Sequence, residues 1–327
     1  MSSDRYNGPR SLYQLFRNLS PMKFRTLPLL LSLAGLSNSL SGAIQIDGFA
    51  TLANDRYAND AQFIADQFDL SGVGINSQSS QRWATMVSKN VYITADHFAP
   101  GVGSTVTFYE TNDPNGAFTT RSITADREQI GATDLFVGTL NAPLGDDFSF
   151  YDFATEDIPD FSSFLNSSYA GANAYLVGRS PTNTFPKDQQ FAVGRNRLDA
   201  WFGEVDNTGG STGNIGDAIG SVVQGSGDTG FVPSEAFLQP GDSGAPLFVD
   251  SGMGDLTIVG INWFTSNTEA DGSGDDLNGQ TYVGNYDLEI QAFIDANPVP
   301  EPGTTGALLA LGIVAYTLAI RRRRLGL

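Results

Sequence analysis

The chain has 327 residues, with 36 acidic and 18 basic side chains, one histidine and no cysteine. Without cysteine there is no disulfide framework, thiolate metal site or cysteine nucleophile. A single histidine, His97, excludes a zinc site built from several imidazoles and leaves one candidate for any imidazole base. Between residues 44 and 298 nine Lys and Arg stand against 34 Asp and Glu, a net charge of −25. Such a surface repels nucleic acid and anionic membranes, because phosphate binding needs clustered cations, so no nucleic-acid partner is expected.

In chain order, Arg5, Arg10, Arg17, Lys23 and Arg25 precede the apolar stretch Leu27 to Leu36, and Ser41-Gly42-Ala43 supplies small residues after it. Basic lead, apolar middle and small-residue cleavage site predict a signal peptide over 1–43. Met22 is an alternative start that leaves a compact lead. Ala61 to Phe68 is expected to form one or two helical turns. Short apolar or β-branched runs bounded by turn residues then predict strands. They are Trp83 to Val87, Asn90 to Thr94, Ser104 to Tyr109, Asp134 to Leu140, Ala174 to Val177, Gln190 to Val193, Gly244 to Val249 and Leu256 to Phe264. Clusters of Gly, Asn, Ser and Asp separate them. Many short strands with little helical periodicity predict an all-β sandwich or barrel.

Asp271, Ser273 and Asp275 alternate as in a calcium loop, but Asp276 stands where the sharp turn needs Gly and Tyr282 where a bidentate Glu is needed. The segment is therefore taken as an acidic loop, with no metal or cofactor. Tyr286 to Ala296 is periodic enough for a terminal helix. Gly303 to Ile320 is an uncharged, mostly apolar run of eighteen residues followed by Arg321 to Arg324. It sits at the short limit for a membrane span, with its cations kept on the cytoplasmic side. Preceded by Val299-Pro300-Glu301-Pro302, residues 299–327 resemble a PEP-CTERM sorting signal. The resemblance implies an exosortase-type transpeptidase as a partner and a membrane helix that anchors the chain before processing. A plain C-terminal anchor is the alternative. Leader and tail together place the middle of the chain outside the cytoplasm, in the envelope or the extracellular space.

Acyl transfer by serine needs an exposed hydroxyl, an imidazole base, a carboxylate that fixes the imidazole's tautomer, and N–H groups aimed at the oxyanion. Gly241-Asp242-Ser243-Gly244 offers Ser243 as nucleophile. Its glycines free the backbone so that the N–H groups of Gly241 and Ser243 can form an oxyanion hole. Asp242 is expected to turn inward and hold the loop by a buried charge pair or hydrogen bond. His97 follows the strand ending Ile93-Thr94-Ala95-Asp96 and is the candidate base. Asp134, opening the strand Leu135 to Leu140, is chosen as the carboxylate over Asp96, Asp113 and Asp126.

These segments, in the order His, Asp, Ser, resemble the chymotrypsin/trypsin family. Thr94-Ala95-Asp96-His97, Asp134-Leu135-Phe136-Val137, Gly241-Asp242-Ser243-Gly244-Ala245-Pro246 and Val259-Gly260-Ile261-Asn262-Trp263 carry the likeness. It implies two six-stranded Greek-key β-barrels, one over 44–160 and one over 161–298 with the terminal helix. His97 and Asp134 would come from the first, Ser243 from the second, and the site would lie between them. The implied activity is hydrolysis of a polypeptide substrate by a serine endopeptidase without cofactor. A catalytically inactive binding protein of the envelope or matrix is the alternative. An α/β-hydrolase is disfavoured, because no histidine follows Ser243.

The chain departs from the family at the specificity pocket. Phe237 stands at its base, and Phe264 and Thr265 follow Trp263 where small residues are usual. A shallow or blocked apolar pocket is expected, without cleavage after Lys or Arg. Cleavage after Ala43 would expose Ile44, but Gln45-Ile46-Asp47 differs from the family's new N-terminus, and whether Ile44 reaches Asp242 is left open.

Overall fold

The computed structural model describes residues 42–76, 81–182, 184–206, 214–252, 254–267 and 276–299. Most of the expected signal peptide, residues 1–41, the apolar tail and the start of the calcium-like loop lie outside them. Among the described residues no helix is long and apolar enough to cross a membrane.

The described chain enters through β1 (Gln45–Ile46) and the single-turn α1 (Thr51–Asn54). Six strands follow: β2 (Val73–Asn76), β3 (Arg82–Met86), β4 (Val91–Ala95), β5 (Thr105–Tyr109), β6 (Phe118–Gln129) and β7 (Leu135–Leu140). They close a barrel in the order β2-β3-β4-β7-β6-β5. Side chains alternate across each strand, and here both faces are covered. Ala84, Met86, Tyr92, Val106 and Phe108 fill one core. Trp83, Val91, Ile93, Ala95, Leu135 and Val137 face a larger core shared with the second half of the chain. Double coverage explains why β3 and β4 are almost continuously apolar in sequence.

The second half contains β8 (Asp152–Phe153), α2 (Phe161–Asn166), β9 (Asn173–Gly178), β10 (Ala192–Arg197), β11 (Ala200–Asp206) and β12 (Ile215–Val223). It continues with β13 (Ala236–Phe237), β14 (Pro246–Gly252), β15 (Asp255–Asn267), β16 (Asp276–Tyr282) and α3 (Asp287–Ala296). Seven of these strands form one antiparallel path, β10-β9-β14-β15-β16-β12-β11, with β8 parallel against β15. The all-β, two-part architecture agrees with the sequence expectation. The second part is a seven-strand path rather than a closed ring of six. β1 pairs with β13 in a two-stranded sheet of their own, Gln45 opposite Phe237, so the start of the described chain packs with the second half.

One local expectation fails. Ala61 to Phe68 is not helical but a run of tight turns, with Phe63 N bonded to Asp60 O, Asp66 N to Phe63 O and Phe68 N to Ala65 O. The turns bury Phe63, Ala65 and Phe68. The terminal helix α3 forms as expected, one residue later, and buries Ile290 and Phe293.

Candidate active site

β4 and β7 are antiparallel neighbours with Ala95 opposite Leu135. That register puts the residues just past one strand beside those just before the other. The β4 end turns into a 3-10 helix over Asp96–Phe98, and Asp96 N donates to Asp134 O at 2.9 Å. His97 N then donates to Asp134 Oδ1 at 3.0 Å, and His97 Nδ1 lies 2.7 Å from Asp134 Oδ2. Asp134 is fully buried and accepts only, so Nδ1 carries the hydrogen and Nε2 is left as the free ring nitrogen. The imidazole itself is 25% exposed. Asp96, the nearest competing carboxylate, has its pKa raised, first by burial and then by the Asp134 charge. Asp126 is exposed, and Asp113 sits in the turn it forms with Asn115.

The Gly241–Ala245 turn is tied down on every side except one. Trp83 Nε1 donates to Gly241 O at 3.3 Å, and Asn262 Nδ2 donates to Asp242 O at 3.2 Å. Asp242 N, Gly244 N and Ala245 N donate to Gln239 O, Asn262 O and Asp242 O. Among the described residues no hydrogen bond uses Gly241 N or Ser243 N. Gly241 and Gly244 hold φ of 112° and 86°, the region open to glycine. A Cβ on Gly244 would fall 2.5 Å from Thr94 Oγ1 and 3.3 Å from Ala95 N. The turn is thus pressed against the end of β4, two residues from His97. The Ser243 hydroxyl is half-buried and makes no hydrogen bond among the described residues.

Asp242 turns inward. Its Oδ1 accepts from Arg179 N at 2.7 Å and its Oδ2 from Gln239 N at 2.8 Å. Burial pushes its pKa up to about 7 against these two hydrogen bonds. Ile44 lies alongside, since a Cβ on Gly178 would meet both Ile44 Cβ and Asp242 Oδ1. The Ile44 N–H, however, donates to Arg179 O at 3.0 Å rather than to the carboxylate.

Residues 298–324 match the PEP-CTERM protein-sorting motif. That motif indicates export to the cell envelope and handling by an exosortase-type processing enzyme. No curated protein matches the chain. Solved structures similar to it include the two that follow. The inactive form of the Rv3671c protease shares 15% identity over 71% of this chain and 92% of that one, with a TM-score of 0.44. A mutant of human heparin-binding protein shares 14% identity over 71% of this chain and 95% of that one, with a TM-score of 0.46.

Of the residues expected to line a specificity pocket, Phe237 is only 9% exposed and is held in the β1–β13 pair. Trp263 is buried beside Phe264, their rings 5.3 Å apart. The Phe264 ring lies flat on Gly279, where a Cβ would fall 2.2 Å from it, and meets Phe202 edge-on at 5.7 Å. No cluster of described residues could hold a metal ion. Two site residues escape the sequence. Trp83 was visible only as a strand position, yet its indole anchors Gly241. Asn214 carries no sequence signal at all, yet its Nδ2 lies 2.6 Å from Asp134 Oδ1.

Proposed function

We propose that the chain is an exported serine endopeptidase that cleaves polypeptides through an acyl-enzyme. One observation carries the reading. The sole histidine is bonded to a buried carboxylate at the strand end on which a glycine-flanked serine turn rests, with two N–H groups that have no partner among the described residues. Ser243 Oγ would attack the scissile carbonyl carbon and pass its proton to His97 Nε2. The carbonyl oxygen would take up negative charge facing Gly241 N and Ser243 N. His97 would then give the proton to the amine as the C–N bond breaks, and water would repeat the cycle to free the acid. Asp134 holds the tautomer and offsets the imidazolium charge. A signal peptide over 1–43 and a transient C-terminal membrane helix belong to the same reading.

Phe264 over Gly279 and the Ser243 hydroxyl, which has no hydrogen-bond partner among the described residues, support a second reading, an inactive binding protein on this scaffold. A fluorophosphonate probe separates the two. The endopeptidase labels at neutral pH, and Ser243→Ala and His97→Ala each abolish labelling. A wild-type chain that neither labels nor hydrolyses casein sinks the enzyme reading in favour of the binding protein.

A further inference from the structure

Asp134 does not act on His97 alone. Its Oδ1 is bonded twice, by His97 N at 3.0 Å and by Asn214 Nδ2 at 2.6 Å, leaving Oδ2 to the imidazole. Asn214 stands just before β12 and is 1% exposed. Its neighbour Ile215 N donates to Ala132 O at 2.8 Å. The start of a second-half strand is therefore clamped onto the loop that carries the first-half carboxylate.

The direction of the Asn214 amide follows from a short chain of hydrogen bonds. Thr133 O accepts only, so Gln129 must turn its NH2 toward it, at 2.6 Å. The second hydrogen of that NH2 points to Asn214 Oδ1 at 3.0 Å. Asn214 is then obliged to present its own NH2 to Asp134. The reverse orientation would set an amide oxygen against a carboxylate and two NH2 groups against each other, at a buried site where neither is tolerated.

We infer that Asn214 is a positioning residue for the proposed hydrolysis, an amide from the second half that locks the Asp134 carboxylate so that Oδ2 faces His97 Nδ1. The inference rests on the endopeptidase reading for its consequence in rate, but the Asn214–Asp134–His97 coupling stands apart from it. The other charged groups nearby are Asp96, on the same turn as His97, whose carboxylate is also within hydrogen-bond reach of the Asn214 side chain, and Arg127 of β6, which acts on Asp96.

The test uses the processed full-length chain with Asn214→Leu, which keeps the shape and removes the donor, and Asn214→Asp, which adds a charge. The Leu variant should label with fluorophosphonate roughly tenfold to hundredfold more slowly, as expected when a supporting group is lost. In the Asp variant the imidazole NMR signals of the sole histidine should titrate about one pH unit higher than in wild type, as a second nearby carboxylate favours the imidazolium. A residue that merely fills space would leave both the imidazole titration and, in a folded chain, the labelling rate of Asn214→Leu at wild-type values. Wild-type imidazole titration and labelling rate in Asn214→Leu overturn the inference. Failure of the wild type to label removes the endopeptidase reading but leaves the titration to decide the coupling. Should the Asn214 variants not fold, Gln129→Leu frees the amide to turn. A slowed labelling rate or an altered imidazole titration there supports the inference, and wild-type values for both overturn it.

Discussion

Asp242 is fully buried with its carboxyl pKa pushed from 3.8 up to about 7, chiefly by the loss of water around it. Its folded value is raised, so between about pH 4 and pH 7 the folded chain binds more protons there than the unfolded chain. Stability must fall as pH rises through that window, by ~1.4 kcal/mol per pH unit from this group. The three-unit rise from 3.8 to about 7 makes the total roughly 4 kcal/mol, absent below pH 4 and fully present above pH 7. Asp242→Asn removes the titration while swapping one acceptor for a donor against Arg179 N or Gln239 N, which costs about 1–3 kcal/mol at every pH. Urea unfolding of wild type and variant at pH 4.5, 6 and 8 isolates the group, because all other titrations cancel in the difference. The variant should be the less stable at pH 4.5 and should gain on wild type by several kcal/mol by pH 8. Parallel pH dependences would refute the idea that burial of this carboxyl opposes the fold at neutral pH.

Two further substitutions test the site's construction. Gly244→Ala forces a Cβ toward Thr94 Oγ1 at a φ of 86°, and should cost about 2–5 kcal/mol in thermal or urea unfolding and abolish probe labelling. Phe264→Gly uncovers Gly279. In a peptide-library cleavage assay it should admit bulky side chains that the wild type rejects, while the lost contacts with Phe202 and Trp263 cost about 1–3 kcal/mol in urea unfolding.

The parts of the fold that sequence reveals are those whose faces are both buried. β3, β4 and β7 stand out because apolar residues occupy nearly every position, and the motifs at their ends come into view with them. β6 is invisible by the same criterion, since most of Phe118–Gln129 faces solvent and its polar run resembles a loop. β16 fails for the opposite reason. Asn278, Gln280 and Thr281 are buried in it, so its core carries polar side chains where an apolar pattern is sought. Asn278 satisfies its amide on Ala236 O and Leu238 N, bonds that no single segment could announce. The His97–Asp134 pairing was legible because the two residues flank strands that pair directly. Asn214 was not, because its role arises only when a distant strand starts beside the Asp134 loop.

The C-terminal end of the folded unit carries a consequence for maturation. Asn297 closes α3 through its bonds to Ile294 O and Phe293 O, and its own carbonyl accepts from Asn90 in the first barrel. The sorting motif starts at the very next residue, 298. At most about 3.5 Å of extended chain is gained per residue, so the first residues of the motif stay within a short reach of the barrel. An enzyme that acts on those first residues would work close to its wall. The rate of processing would then report whether the helix end is docked, and trimming would favour chains whose two halves have already closed on each other.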